Sequence, residues 1–217
     1  MSISSQAWKN DNSDLLNYLL KMAKEVPLIN EYLLAEEEYL KNHISIDASV
    51  IDFGCGNGRH LNLLKNRISR GLGIDMNQSY LEKASKLCGS KKIHFELGDI
   101  ENYQPKELFD VAFSLYNTFG NIENQRGMID SMMRSLKPNG KALISIFSVE
   151  SIPSRLELYE IMGFDNLDIK GHTIVTEDGF SSKCFSEEEL RILVSNAKIE
   201  KLTDIGWIVV IEKEEKK

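Results

Sequence analysis

The chain has 217 residues, of which 42% are apolar and 27% charged, enough for one domain with a sizeable core. Its formal net charge of −7 disfavours nucleic acid as a general partner. Three scattered cysteines, Cys55, Cys88 and Cys184, fit neither a disulfide framework nor a C-x-x-C zinc site, so no metal is expected.

No apolar run approaches the length of a membrane span, and the first residues lack a basic region followed by an apolar one. The expected address is cytoplasmic, with no membrane partner. Residues 14–43 carry two helical patterns. Leu15, Leu16, Leu19, Leu20 and Ala23 form one stripe; Ile29, Leu33, Ala35 or Glu36, and Leu40 form the other. The break belongs at Val26-Pro27, because a residue before proline is biased away from helix. Residues 1–46 are therefore expected to form an N-terminal helical cap. Residues 1–50 hold four basic and eight acidic side chains. An acidic lid of this kind suits a neutral or cationic small ligand and hinders a polyanion. Trp8, Tyr18, Tyr32 and Tyr39 are candidates to close a pocket, although helix packing accounts for the tyrosines equally.

From residue 48 short β-rich runs alternate with helical ones. ASVIDF, GLGID, KIHFEL, FDVAFSLY and KALISIF read as strands; RHLNLLKNRI, SYLEKASKLC and IENQRGMIDSMMRSL read as helices. This alternation points to a doubly wound, mainly parallel α/β sheet. Lys137-Pro138-Asn139-Gly140 is a turn signal that stops a helix and starts a strand. Residues 47–148 form the expected ligand-binding core. Between Arg59 and Lys92 there is a local excess of six positive charges, read as the solvated faces of two helices.

The rhythm then fails over 149–185, an expected lid segment inserted after the fifth strand. It contains a helical ESIPSRLELYEIMGFDN and a hairpin around Asp178-Gly179. In 186–217, Ser186 caps EEELRILVSNA with Glu189 in the capping-box position. Two strand-like runs, IEKLTDI and WIVVIE, follow.

The chemistry concentrates in VIDFGCGNGRH, residues 50–60. Gly54, Gly56 and Gly58 lie between a strand and a helix, where glycine lets a ligand approach the backbone and the helix offers free N–H groups. The dinucleotide fingerprint G-x-G-x-x-G fails in both registers, with Arg59 or Leu61 at the third glycine, and no G-K-[ST] follows. Asp52 ahead of the loop suits a cationic amine better than a pyrophosphate. Asp75 and Asp99 end the next two strands, at the crevice where such sheets bind ligands. Asp75 can accept from ribose hydroxyls or cap a helix; Asp99 can take an adenine amino group or fix a turn.

These stretches resemble class I S-adenosylmethionine-dependent methyltransferases. VIDFGCGNG matches the family's first motif, D-x-G-x-G-x-G, and GIDMN, LGDI and LKPNGKALIS match later ones. The resemblance spans 48–148 by motif and 186–212 by rhythm. It implies a seven-stranded sheet with an antiparallel last strand, and S-adenosyl-L-methionine as cofactor. By position, the loop from Gly54 through Cys55 and Gly56 to Gly58 would cradle the methionine portion, with Asp52 near its amino group. Asp75 would bind the ribose and Met76 would pack on the adenine. Asp99 and Ile100 would hold the adenine edge, and Leu115 would complete the cofactor wall. Arg59 would reach the methionine carboxylate or remain a solvated helix residue.

In this family YNTFGNI, residues 116–122, borders the methyl group; it lacks the N-P-P-[YF] of base and glutamine methylation. Tyr116 and Asn117 either orient an acceptor or respectively pack and fix the turn. Phe119 reads as core. His172, the one histidine of the inserted segment, is a candidate base or a solvent-facing strand residue. Asp178 reads as the hairpin acid.

The expected activity is methyl transfer to N or O of a small-molecule acceptor. An RNA or protein methyltransferase, a non-catalytic S-adenosylmethionine-binding module and a nicotinamide-dependent oxidoreductase are the rivals. Monomer and homodimer are both left open.

Overall fold

The computed structural model describes residues 13–177 and 179–215. Trp8 and Asp178 lie outside the described residues.

Strands β1 (Ser49–Phe53), β2 (Arg70–Asp75), β3 (Ile93–Leu97), β4 (Phe109–Ser114) and β5 (Leu136–Phe147) run parallel. Three further strands, β6 (Asp168–Lys170), β7 (Thr173–Val175) and β8 (Ser181–Lys183), make a separate antiparallel sheet. Strands β9 (Lys198–Thr203) and β10 (Gly206–Glu212) return to the main sheet. Its order is β3-β2-β1-β4-β5-β10-β9, with β10 antiparallel to both neighbours. The expected seven-stranded, doubly wound sheet with an antiparallel last strand is what the chain forms. β1 is buried along its whole length and so reads as an unbroken apolar run apart from Ser49 and Asp52. The strand order reverses beside it, and a ligand crevice opens there.

The helices follow their periodicity. In α1 (Ser13–Met22) and the 3₁₀ turn after it, Leu15, Leu19 and Ala23 are buried. Val26 is extended and Pro27 begins α2 (Pro27–His43), the break expected from the proline. Helices α3 (Arg59–Leu64), α4 (Gln78–Cys88) and α5 (Gln125–Ser135) cover the core sheet. Asn77, not Asp75, caps α4, accepting from the Ser79 and Tyr80 amides. After β5 come α6 (Ile152–Ile161) and then α7 (Glu187–Leu193), which starts with the Ser186–Glu189 capping box.

Two features depart from the sequence reading. First, Lys137–Gly140 does not precede the strand but bulges within it: Phe109 pairs with Leu136 and Val111 with Lys141. Asn139 takes φ 61° there and donates its N–H to the Lys213 carbonyl at 3.0 Å, so the bulge stays paired. Second, β6 adds a third strand to the hairpin of the inserted segment.

A separate apolar cluster joins α1 and α2 to this segment: Leu15, Leu19, Tyr32, Phe147, Leu158, Tyr159 and Ile174 pack together. The N-terminal helices and the insertion thus meet over the same end of β5.

Asp110 ties the opposite end of the sheet together, accepting from Ser49 Oγ (2.6 Å), the Ser49 amide (2.8 Å) and Lys137 Nζ (2.9 Å). Burial alone would raise its pKa; the Ser49 bonds and Lys137 outweigh that and hold it down at about 2. A carboxylate depressed in the folded state stabilises the fold above its ordinary value and loses that contribution as pH falls. In an acid-unfolding series, wild type should therefore lose stability more steeply than Asp110→Asn between 3.8 and about 2.

Candidate functional site

The loop after β1 is shaped by its glycines. Gly54, Gly56 and Gly58 all take left-handed φ, at 77°, 51° and 75°. A Cβ on Gly54 would meet Thr118 Cγ2 at 2.5 Å, and one on Gly58 would meet Ala84 and Phe95 at 2.9 Å. The loop is fastened to β2. Gly54 and Cys55 amides donate to the Ile74 carbonyl, and the Gly56 amide donates to Asp75 Oδ2 at 2.8 Å. Cys55 is buried, with its sulfur against Gly73, where a Cβ would come within 2.8 Å of it.

A cavity of about 540 Å³ opens above this loop, within the range of small-molecule sites. Gly54, Cys55, Gly56, Arg59, Asp75, Met76, Asp99, Ile100, Leu115, Tyr116 and Asn117 all line it. Asp75 turns both oxygens to backbone amides, of Gly56 and Asn77, and burial pushes its pKa up against those bonds. Met76 is 67% exposed beside it. Asp99 is exposed, and its carboxylate accepts from the Glu101 amide and Asn102 Nδ2. The turn role and a lining position thus coexist in one residue.

Asp52 and Gly58 do not reach the wall. Asp52 is 1% exposed on β1; its Oδ2 has no hydrogen-bond partner among the described residues. Burial raises its pKa far above the ordinary value; Arg59 opposes this, while Asp75 and Glu36 add to it. At both Asp52 and Asp75 burial favours the neutral carboxyl over the charged one.

His172 lies away from the cavity. It is exposed on the small sheet's edge, with Nδ1 2.9 Å from Glu189 Oε2, so its contact is with the α7 cap rather than with the crevice. Tyr18, Tyr32 and Tyr39 do not line the cavity either. Tyr32 is buried and stacks on Phe147 at 4.4 Å, and Tyr39 donates to Glu200 at 3.3 Å. The described cap contributes Leu16, Leu19 and Leu20, all apolar. Among the described residues no acid of the cap lines the cavity, so there the expected acidic lid is an apolar one.

At the other end, Tyr116 and Asn117 take consecutive left-handed φ of 55° and 59°, a costly conformation held by its surroundings. Asn117 donates to Ser182 Oγ (3.2 Å) and the Lys183 carbonyl (3.1 Å), and accepts from the Phe147 amide (3.0 Å). Its amide thus staples the end of β4 to β5 and β8. Phe119 is buried in the core.

Two residues escaped the sequence reading in this role. Glu36, on the apolar stripe of α2, is 1% exposed. Its Oε1 accepts from the Tyr116 amide at 2.6 Å and from Ser145 Oγ; its Oε2 accepts from Arg59 Nη2 at 3.1 Å. Burial raises the pKa of Glu36, and Arg59 chiefly opposes that. Arg59 is thereby engaged by Glu36 and Glu37 rather than solvated. A carboxylate at helical spacing with Ile29, Leu33 and Leu40 was the available signal. The second residue, Arg155 on α6, lines the cavity while 2% exposed.

Residues 50–140 match the model of a methyltransferase domain family. A malonyl-[acyl-carrier protein] O-methyltransferase from Ilyobacter polytropus is 30% identical over 106 residues, 48% of this chain and 40% of that protein. A ubiquinone biosynthesis O-methyltransferase from Rickettsia conorii is 32% identical over 115 residues, 52% of this chain and 39% of that protein. The matched segments span about two fifths of the length of these curated relatives. An S-adenosylmethionine-dependent methyltransferase from Clostridium acetobutylicum shares the fold, with a TM-score of 0.64 over 94% of this chain and 96% of that one, at 12% identity. Over residues 50–140 the chain thus matches a methyltransferase domain, and it shares its fold with that S-adenosylmethionine-dependent methyltransferase.

Removing Glu36 should strand three donors, the Tyr116 amide, Ser145 and Arg59. Glu36→Ala is expected to lower unfolding free energy by about 3 kcal/mol in urea denaturation. Glu37→Ala, which removes only the half-exposed partner of Arg59, should change it by less than about 1 kcal/mol.

Proposed function

We propose that this chain transfers a methyl group from S-adenosylmethionine to a nitrogen or oxygen of a small-molecule acceptor. The observation that carries the reading is one cavity with two unlike ends. One end has the left-handed glycine loop, with α1 against it, and the acids at the ends of β2 and β3; the other is closed by α6 and β8. The crevice fits the cofactor on this chain's own chemistry. A Cβ would crowd the loop's backbone, the orphaned oxygen of Asp52 lies behind it, and Asp75 stands at the strand end.

Gly54, Cys55 and Gly56 would hold the methionine portion; Gly58 would shape the loop behind them, and Asp52 would lie buried behind the ammonium position. Asp75 would accept from the ribose, Met76 and Ile100 would flank the adenine, and Asp99 and Leu115 would complete its rim. Arg59, held by Glu36, would face the methionine carboxylate. When bound, S-adenosylmethionine supplies an electrophilic sulfonium methyl.

The protein's part is then alignment, and proximity with orientation can supply about 7–11 kcal/mol of barrier lowering. Tyr116 and Asn117 would set the acceptor boundary. Asn117 acts through the staple of β4 to β5 and β8, and Tyr116 presents a phenol on the cavity wall. Burial raises the Tyr116 pKa well beyond its ordinary value, so the phenol stays protonated at neutral pH and is a hydrogen-bond donor rather than a base. His172 contributes no base in this arrangement, given its contact with Glu189.

Residues 1–46 serve as the cap, 47–148 as the cofactor core, 149–185 as the acceptor-side lid, and 186–217 complete the sheet. Two relatives' names favour small acceptors, a ubiquinone-biosynthesis O-methyltransferase and, in Saccharopolyspora spinosa, an amino sugar nucleotide N,N-dimethyltransferase; the Ilyobacter polytropus enzyme is named for a malonyl group on a carrier protein.

Two experiments test the reading. Asp75→Ala should weaken S-adenosylhomocysteine binding by roughly tenfold or more, the scale of lost hydrogen bonds to a charged group. Incubation with methyl-labelled S-adenosylmethionine and a metabolite extract should yield a labelled product of low mass. Label recovered only in RNA or protein would contradict the small-molecule assignment.

A further inference from the structure

Arg155 is a buried cation without a buried anion. Its Nη1 donates to Cys184 Sγ (3.0 Å) and the Ser182 carbonyl (3.5 Å). Its Nη2 donates to the Tyr159 hydroxyl (2.6 Å) and Ser182 Oγ (2.5 Å), and the guanidinium lies 4.9 Å from the Phe147 ring centroid. None of these partners is a carboxylate, and among the described residues no carboxylate pairs with Arg155. Taking a charge out of water without an opposite charge is expensive, so buried guanidinium groups are ordinarily matched by carboxylates. This one instead lines the cavity.

We propose that Arg155 is the anion-binding residue of the acceptor half, and that the methyl acceptor carries an oxyanion, a carboxylate or phosphate-type group, which pairs with the guanidinium. The inference rests on the methyl-transfer reading, because it takes this half of the cavity as the acceptor's.

The neighbouring groups suit that ligand. The Tyr159 hydroxyl accepts from Arg155, which leaves its own proton free to donate to an oxyanion. Ser182 spends its proton on Asn121 Oδ1, so it holds the guanidinium without competing for the ligand. Of the acids that line the cavity, Asp75 ends β2 and Asp99 and Glu101 follow β3, beside the glycine loop; Glu123, ahead of α5, is exposed and makes no ion pair with Arg155 among the described residues. Carboxylates at the donor end and an uncompensated positive charge at the other would orient an acceptor that has one anionic terminus. With its four Nη hydrogens already engaged, the guanidinium would meet the oxyanion through its charge and the remaining Nε–H, beside the Tyr159 hydroxyl.

The test uses the full chain, with benzoate and phenylphosphonate as anionic probes and benzamide as the neutral isostere, each titrated calorimetrically with and without saturating S-adenosylhomocysteine. At least one acid should bind roughly tenfold tighter than benzamide, the scale of a charge-assisted hydrogen bond. Arg155→Gln should abolish that preference while keeping S-adenosylhomocysteine affinity, which reports an intact fold; Arg155→Lys should retain part of it. Benzoate against phenylphosphonate separates the two kinds of oxyanion. The proposal is overturned if the acids bind no better than benzamide, if neither binds, or if the preference survives Arg155→Gln. Failure of S-adenosylhomocysteine to bind counts against the methyl-transfer reading instead, and the titrations without it still decide the role of Arg155.

Discussion

The buried carboxylate of Glu36 is the contact on which the site's architecture depends. One residue on α2 reaches the first residue of α3, the backbone just after β4 and the middle of β5, through Arg59, the Tyr116 amide and Ser145. A carboxylate so deep is costly unless its lone pairs are filled, and here three donors fill them. The N-terminal helices are thereby joined to the sheet by charge as well as by the apolar cluster around Tyr32 and Phe147. The same contact orders Tyr116 in its left-handed conformation at the boundary between the two halves of the cavity.

Strain is distributed along that boundary. Gly54, Gly56 and Gly58 adopt left-handed φ without a Cβ penalty, and the loop lies close against Thr118, Leu16 and Phe95. Tyr116 and Asn117 adopt it with side chains present. What holds them is long-range: Glu36 and Ser145 on the Tyr116 amide, and three hydrogen bonds on the Asn117 amide. Non-glycine residues in such conformations cluster where function needs a fixed backbone.

The sheet and its glycine loop were legible because their signals are local. Strand-helix alternation, the proline at 27 and the Ser186–Glu189 box are each decided within a few residues. The acids after β2 and β3 could be placed at strand ends by counting. Glu36 and Arg155 were not legible in the same way. Their roles arise from partners 109 and 27 residues away, which no periodicity encodes. Net charge misled for the same reason: the cap is acidic in composition, yet among the described residues its contribution to the cavity is three leucines. Lys137–Gly140 carries the residues of a turn, and the pairing of Asn139 with Lys213 made it a bulge within β5.

The central claim is that the crevice at the ends of β1, β2 and β3 receives S-adenosylmethionine rather than a dinucleotide. The most direct measurement is calorimetric titration of the full chain with S-adenosylhomocysteine and, separately, with NAD. The account predicts saturable one-to-one binding of S-adenosylhomocysteine and no heat of binding from NAD. Saturation by NAD with no response to S-adenosylhomocysteine would contradict it.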